Sequence, residues 1–252
     1  MTESSVLAVI PARYQSSRLP AKVLLDIAGH PMIEHVYRRT ASASSVHGVI
    51  VATDDQRIVS AVESFGGVAV MTRSDHATGT DRIAEVVATR PCHLVVNVQG
   101  DEPLIEPETI DAAVRPLLAD PSIDIGTLSR PLLDAQEFTN PHVVKVVTDD
   151  RGHALYFSRA PIPGAHATTS PASVLAAARA HLGLYVYRRD VLLRLAAMAE
   201  APLEQLEGLE QLRALEHGMR IHVVEVQHQS TGVDTPEDLE RVRQRMLATT
   251  RT

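Results

Sequence analysis

Through its first half the chain alternates short apolar runs with segments of helical periodicity, and few folds accept that pattern. Val6–Ile10 reads as a buried strand, and Pro31 to about Ala43 as a helix with Met32, Ile33, Val36 and Tyr37 on one face. Gly48–Thr53 is the next strand, followed by a helix over about Asp55–Phe65 whose stripe is Ile58, Val59, Val62 and Phe65. Val68–Met71 is a short strand, the polar stretch Arg73 to Arg82 opens a helix carrying Ile83, Val86 and Val87, and His93–Val98 is a continuous apolar strand. Parallel strands need a helical crossover, so this repetition predicts an α/β fold, a mainly parallel sheet flanked by helices.

After a helix over Glu108–Leu118 the pattern changes. Val143–Thr148 and Ala154–Ser158 flank Asp149-Asp150-Arg151-Gly152, a hairpin signal, so antiparallel strands are expected there. Residues 161–180 read as a loop or lobe connection, His181–Arg188 as a strand, Leu203–His217 as one helical stretch and Arg220–Val226 as the last strand. Thr235 is the expected N-cap of a terminal helix, with Pro236 at its first position. The 252 residues are expected to form one domain, 1–252, with a strand-rich insertion over about 130–190.

Several function classes lack support. The net charge of -7 argues against general nucleic-acid binding, and the groups Arg38-Arg39, Arg188-Arg189 and Arg241-Val-Arg-Gln-Arg245 have no interleaved aromatics. One cysteine, Cys92, allows neither an intrachain disulfide nor a multi-thiolate metal site. No apolar run approaches the ~18–20 residues of a membrane span, and a cytoplasmic protein is expected. The P-loop, the dinucleotide Gly-x-Gly-x-x-Gly after the first strand and the Gly-x-Ser-x-Gly elbow are all missing. None of the twelve histidines forms a His-x-x-x-His pair on a helix, and His217, His222 and His228 read as scattered positions.

The chemistry-bearing residues sit where strands end. Ile10-Pro-Ala-Arg-Tyr-Gln-Ser-Ser-Arg-Leu-Pro-Ala-Lys22 leaves the first strand with three cations, Arg13, Arg18 and Lys22, and with Pro11 and Pro20 stiffening its ends. A short cationic loop at a strand end suits a triphosphate, where a solvated basic loop is the plainer alternative. Asp101 follows the central strand, and Asp234 precedes the last helix at the end of another apolar strand, so with both strands in one sheet the two carboxylates converge at its C-terminal edge. Taken singly they read as a turn former and a cap. Taken with the cationic loop they predict a Mg²⁺ site, because Mg²⁺ commonly takes one or two carboxylates with phosphate oxygens and water.

The chain resembles the 3-deoxy-manno-octulosonate (Kdo) cytidylyltransferases from about Val6 to Met246. Besides the loop just quoted, the resemblance rests on Met71-Thr-Arg-Ser-Asp-His-Ala-Thr-Gly-Thr-Asp-Arg82, Asn97-Val-Gln-Gly-Asp-Glu-Pro103, Val144-Lys-Val-Val147, Ala154-Leu-Tyr-Phe-Ser-Arg159, His181-Leu-Gly-Leu-Tyr185, Leu209-Glu-Gln-Leu-Arg213 and Thr231-Gly-Val-Asp-Thr-Pro-Glu-Asp-Leu239. It implies a Rossmann-like, GT-A-like nucleotidyltransferase sheet and an enzyme that joins CTP to the acid sugar Kdo, releasing pyrophosphate with Mg²⁺, in lipopolysaccharide biosynthesis. It further implies a homodimer contacting through the strand-rich insertion. By matching position, Arg13, Lys22 and Asp101 would be catalytic, and Ala12, Arg13, Arg18, Lys22, Arg73, His76, Thr78, Gly79, Arg82 and Gln99 would bind the nucleotide. Gln99, Arg159, His181, Tyr185, Glu210 and Gln211 would line the sugar pocket, with Arg159 a counter-ion for its carboxylate. Asp101 and Asp234 would hold the metal.

Two departures stand out. Ala21 replaces the family's usual glycine before the loop lysine, which disfavours a positive φ there. The stretch Gly164–Ala180 is small and Ala-rich where the family often has aromatic and polar residues, so a related 2-keto-3-deoxy acid sugar stays open as the acceptor. Another sugar nucleotidyltransferase on the same fold, or a non-catalytic nucleotide-binding homologue, are the alternative functions.

Overall fold

The alternation is realised in the computed structural model, which describes residues 5–15, 19–228 and 232–249. In chain order it contains β1 (Val6–Ala12), β2 (Asp26–Ile27), β3 (His30–Pro31), α1 (Met32–Ala41), β4 (Gly48–Thr53), α2 (Gln56–Ser64), β5 (Ala69–Met71), α3 (Gly79–Ala88), β6 (Leu94–Asn97) and α4 (Pro107–Ala119). Then follow β7 (Ile125–Pro131), α5 (Ala135–Thr139), β8 (Lys145–Thr148), β9 (Ala154–Ser158), α6 (Pro171–Ala177) and β10 (Arg179–Arg188). The remainder is α7 (Arg189–Ala196), α8 (Pro202–Glu207), α9 (Gln211–Glu216), β11 (Ile221–Glu225) and α10 (Pro236–Thr249). The chain divides into two compact units, Met1–Asp111 with Ser230–Thr252, and Ala112–Gln229.

In the first unit β6, β1, β4 and β5 lie side by side and parallel. Val6–Ile10 is wholly buried, as a run without polar alternation requires when helices cover both faces of a sheet. The register pairs Ala12 with Thr53 and Val9 with Asn97, so the segments following β1, β4 and β6 all leave from one edge of this sheet. Asp111 anchors the loop after α1, accepting from the amides of Ser44 (3.1 Å) and Ser45 (2.8 Å) and from both hydroxyls. Burial opposes its charge, but the serine bonds outweigh this and hold its pKa below the usual carboxylate value. The stabilisation is therefore complete above the unfolded value of about 3.9 and is lost as pH falls through the depressed folded value. Asp111→Asn, which turns an amide against these donors, should cost about 2–3 kcal/mol at neutral pH in a denaturant titration. A midpoint equal to wild type would show that the bonds contribute nothing net.

The C-terminal segment returns to the first unit through an apolar cluster in which Val233, Leu239, Val242 and Met246 pack with Ile27 and Met32. As expected, Thr235 caps α10, its hydroxyl accepting from the Asp238 amide at 3.2 Å. Asp238 reciprocates by accepting from the amides of Asp234 and Thr235.

The second unit carries the antiparallel strands. β7 pairs antiparallel with β10 and parallel with β11, while β8 pairs antiparallel with β9 and β10. The Asp149–Gly152 turn forms, with Gly152 at φ +80°. Two expectations are corrected here, and one strand is added. Leu203–His217 is two helices, because Gly208 turns left-handed at φ +62° between α8 and α9. The 161–180 segment contains α6, whose amide at Ser173 is capped by Ser170. β7 has no counterpart among the expected strands; its Gly126 is needed because a Cβ would stand 2.8 Å from the Ala113 carbonyl. No helix among the described residues is long and apolar enough to cross a membrane.

Candidate active site

Lys22 is the node of the first unit's site. Its ammonium donates to Asp101 Oδ2 at 2.6 Å and to Asp234 Oδ1 at 3.1 Å, so one cation gathers two carboxylates far apart in sequence. Burial opposes the Lys22 charge, yet Asp101 and Asp234 outweigh it and raise its pKa. The two acidic residues are brought together by main chain as well, through a 2.9 Å bond from the Val233 amide to the Asp101 carbonyl. Asp234 does not end a strand. It lies beyond β11, in the segment that re-enters the first unit, and α10 packing holds it there.

Ala21, one residue before, adopts φ +55° and ψ +24°, the left-handed conformation that its side chain disfavours. Bonds from the Ala21 amide to the Tyr14 carbonyl (3.0 Å) and from the Leu24 amide to the Ala21 carbonyl (2.8 Å) hold it. An L-residue there costs about 1–2 kcal/mol, of which the greater chain entropy of unfolded glycine returns about 0.5–1. Ala21→Gly should thus stabilise the protein by up to about 1.5 kcal/mol. Destabilisation in a denaturant titration would contradict that strain.

The loop after β1 also reaches the α3 N-terminus. Arg13 Nη2 donates to the carbonyls of His76 (3.1 Å) and Ala77 (3.0 Å), clamping that segment. Arg13, Tyr14, Gln15, Asp54, Asp55 and Ser74 line a concavity of about 340 Å³ beside it. Ala12 is buried at the end of β1. His76 bonds to Glu85 through Nε2. Thr78 and Asp81 form a capping box at α3, and Gly79 lies against Pro11, 3.3 Å from where a Cβ would stand. Arg73 is exposed and pairs with Asp75 at 3.0 Å, and Gln99 Nε2 lies 3.4 Å from Asn97 Oδ1. Arg18 lies outside the described residues.

Arg82 departs from the expected nucleotide contact. Its side chain is fully buried, with Nη2 on Asp54 Oδ2 at 2.9 Å and Nη1 on Thr72 and the Arg73 carbonyl. A guanidinium with no exposed surface cannot touch a ligand, so it joins the end of β4 to the 72–73 segment as a structural tie. Asp54, its partner and a wall of the concavity, is absent from the expected site residues, although an acidic residue directly after a parallel strand is the signal for it.

The sugar-side candidates other than Gln99 all lie in the second unit. His181 Nε2 is 2.9 Å from Thr127 Oγ1, and its ring packs edgewise on Phe157 and tilted on Tyr185. Burial pushes its pKa down to about 3, so it is a neutral hydrogen-bonding group at physiological pH. Burial first, and the Glu210 charge second, push the Tyr185 phenol up. Gln211 is buried at the start of α9, and Glu210 lies 4.0 Å from Arg213, itself in a buried two-armed pair with Glu204. Arg159 is more committed than a free counter-ion. Its guanidinium donates to the carbonyls of Glu207 (2.6 Å), Pro141 (3.0 Å) and Gly208 (3.3 Å), leaving two of five N–H groups beyond these bonds.

Among the described residues no three His, Cys, Asp or Glu side chains converge on one point. The Asp101–Asp234 pair is nevertheless a hard-oxygen donor set already drawn around one cationic group, which fits Mg²⁺ with phosphate and water completing its shell.

The chain is similar to known proteins over nearly its whole length. The cytidylyltransferase family matches residues 7–221. The 3-deoxy-manno-octulosonate cytidylyltransferase of Syntrophotalea carbinolica is 59% identical over 244 residues, 94% of this chain and 97% of that protein. Its counterpart in Geobacter metallireducens is 53% identical over 96% of this chain and 97% of its own length. A solved CMP:2-keto-3-deoxy-manno-octonic acid synthetase complexed with CTP is 45% identical and superposes with a TM-score of 0.91, covering 98% of this chain and 100% of that one. The 4-diphosphocytidyl-2C-methyl-D-erythritol synthase of Anaerococcus prevotii, 12% identical at a TM-score of 0.66 over 98% and 100%, shares the fold. With a cationic loop at the strand edge, two acidic residues gathered by Lys22 and relatives this similar over nearly full length, the chain belongs to the cytidylyltransferase family and, within it, to the 3-deoxy-manno-octulosonate cytidylyltransferases.

Proposed function

We propose that this protein transfers the cytidylyl group of CTP to Kdo, giving CMP-Kdo and pyrophosphate. The observation that carries the reading is the Lys22–Asp101–Asp234 node at the end of the β1 loop. The anomeric hydroxyl of the sugar attacks the α-phosphorus in line; a P–O bond forms there as the bond to pyrophosphate breaks, and the hydroxyl proton is released to solvent. Arg13 and Lys22 offset charge on the triphosphate and on the departing pyrophosphate, so catalysis is chiefly positioning and electrostatics. Mg²⁺, when bound, would be held by Asp101 and Asp234 and would neutralise phosphate charge. Residues 76–79 border the cytidine, and Gln99, His181, Tyr185, Glu210 and Gln211 serve the sugar, with Arg159 offering its remaining N–H groups to the carboxylate. The enzyme works as a cytoplasmic homodimer, and its product serves lipopolysaccharide synthesis.

Nucleotide choice tests this reading. The His76–Arg82 segment has no aromatic platform, so the base is recognised by main-chain and small side-chain hydrogen bonds, which suit a pyrimidine. Pyrophosphate release should be fastest with CTP and poor with UTP. Comparable efficiency with ATP or GTP would overturn it.

A further inference from the structure

Lys145, in the Val144-Lys-Val-Val147 segment, has no role in the reaction as described, yet it is fully buried. β8 places it between Ser158 of β9 and Ala180 of β10. Its ammonium donates to the carbonyls of Val143 (2.6 Å), Arg159 (2.7 Å) and Asn140 (3.0 Å). Among the described residues no carboxylate is hydrogen-bonded to it, and burial lowers its pKa. Its three bonds satisfy the carbonyls, but a neutral donor would do that without the cost of burying a charge, so the charge itself calls for a use.

The connections of Lys145 lead to the sugar side. The Arg159 carbonyl that it holds belongs to the residue whose guanidinium grips the Glu207, Gly208 and Pro141 carbonyls. Glu207 in turn accepts from the Ser158 hydroxyl (2.6 Å) and the Arg159 amide (2.9 Å). Two cations and one carboxylate thus tie residues 140–145, 158–159 and 207–208 into one cluster with an excess of positive charge. The left-handed Gly208 turn inside that cluster leads directly to Glu210 and Gln211.

We infer that Lys145 is a positioning residue for a carboxylate-bearing acceptor: acting through Arg159, it sets the Glu207–Gly208 turn that carries Glu210 and Gln211, and its charge gives the cluster a net attraction for the acid group. Buried charge acts over longer distances than solvated charge, so Lys145 need not touch the sugar. This inference rests on the proposed transfer to an acid sugar.

The test is steady-state kinetics of Lys145→Met and of the milder Ser158→Ala, with CTP and Kdo varied in turn, alongside thermal unfolding. Lys145→Met should raise the KM for Kdo by roughly tenfold or more while the KM for CTP stays within about twofold, and Ser158→Ala should shift the same ratio by about threefold. A purely structural role would lower the unfolding temperature and turnover without changing the ratio of the two KM values, and that result would overturn the inference. Should Lys145→Met fail to fold, the ratio in Ser158→Ala decides alone. A wild-type enzyme that turns over no carboxylate-bearing sugar would instead defeat the functional reading itself, a failure visible before any variant is made.

Discussion

Asp101→Asn and Asp234→Asn should each lower turnover by about 10²–10³-fold while leaving the protein folded. A metal at a reacting phosphate is worth several kcal/mol of transition-state stabilisation, and each ~1.4 kcal/mol is tenfold in rate. Either substitution removes one of the two charges that Lys22 gathers, so a cation loses half its charged ligands from the protein. Folding should survive, since Asp101 and Asp234 retain 30% and 46% side-chain exposure and Lys22 keeps one acidic partner. The Mg²⁺ concentration for half-maximal rate should rise as well. Near-normal turnover at modest Mg²⁺ in either variant would remove that residue from the proposed metal site.

Arg82→Leu should have the largest effect on stability. It deletes the bonds to Thr72, the Arg73 carbonyl and Asp54, and leaves Asp54 without its partner. Breaking a buried pair costs about 3–5 kcal/mol; Asp54 is 20% exposed and can recover some hydration, which favours the lower end. At roughly 2–4 °C per kcal/mol for a chain of this size, Tm should fall by about 6–12 °C. An unchanged Tm with a raised KM for CTP would restore Arg82 to the nucleotide.

The difference between Arg82 as expected and as found shows what a sequence withholds. Its charge and its place in a polar stretch fit a ligand contact, but burial is a tertiary property, and only the fold brings Asp54 and Thr72 around it. Arg159 is similar: its residue type promises a carboxylate partner, whereas three main-chain carbonyls occupy much of its fork. Lys145 stands in the sequence only as one residue of the Val144-Lys-Val-Val147 segment, because its burial among three carbonyls is again a tertiary property. By contrast, β1, β4 and α10 were legible because local rules agree with the fold at those points: unbroken apolar runs under helices, and Thr235 with Pro236 at a helix start. β7 was not, because Gly126 and polar Thr127 and Ser129 interrupt its apolar pattern. The Asp101–Asp234 meeting was anticipated by residue type but not by route. It depends on the C-terminal segment packing against Ile27 and Met32, a contact no local pattern announces.

The most direct test of the central claim is identification of the product by mass spectrometry when the protein is given CTP, Mg²⁺ and Kdo. The account predicts CMP-Kdo and pyrophosphate in equal amounts, with little product when the acceptor is a neutral sugar. No nucleotide sugar from Kdo, or equal product from a neutral sugar, would contradict it.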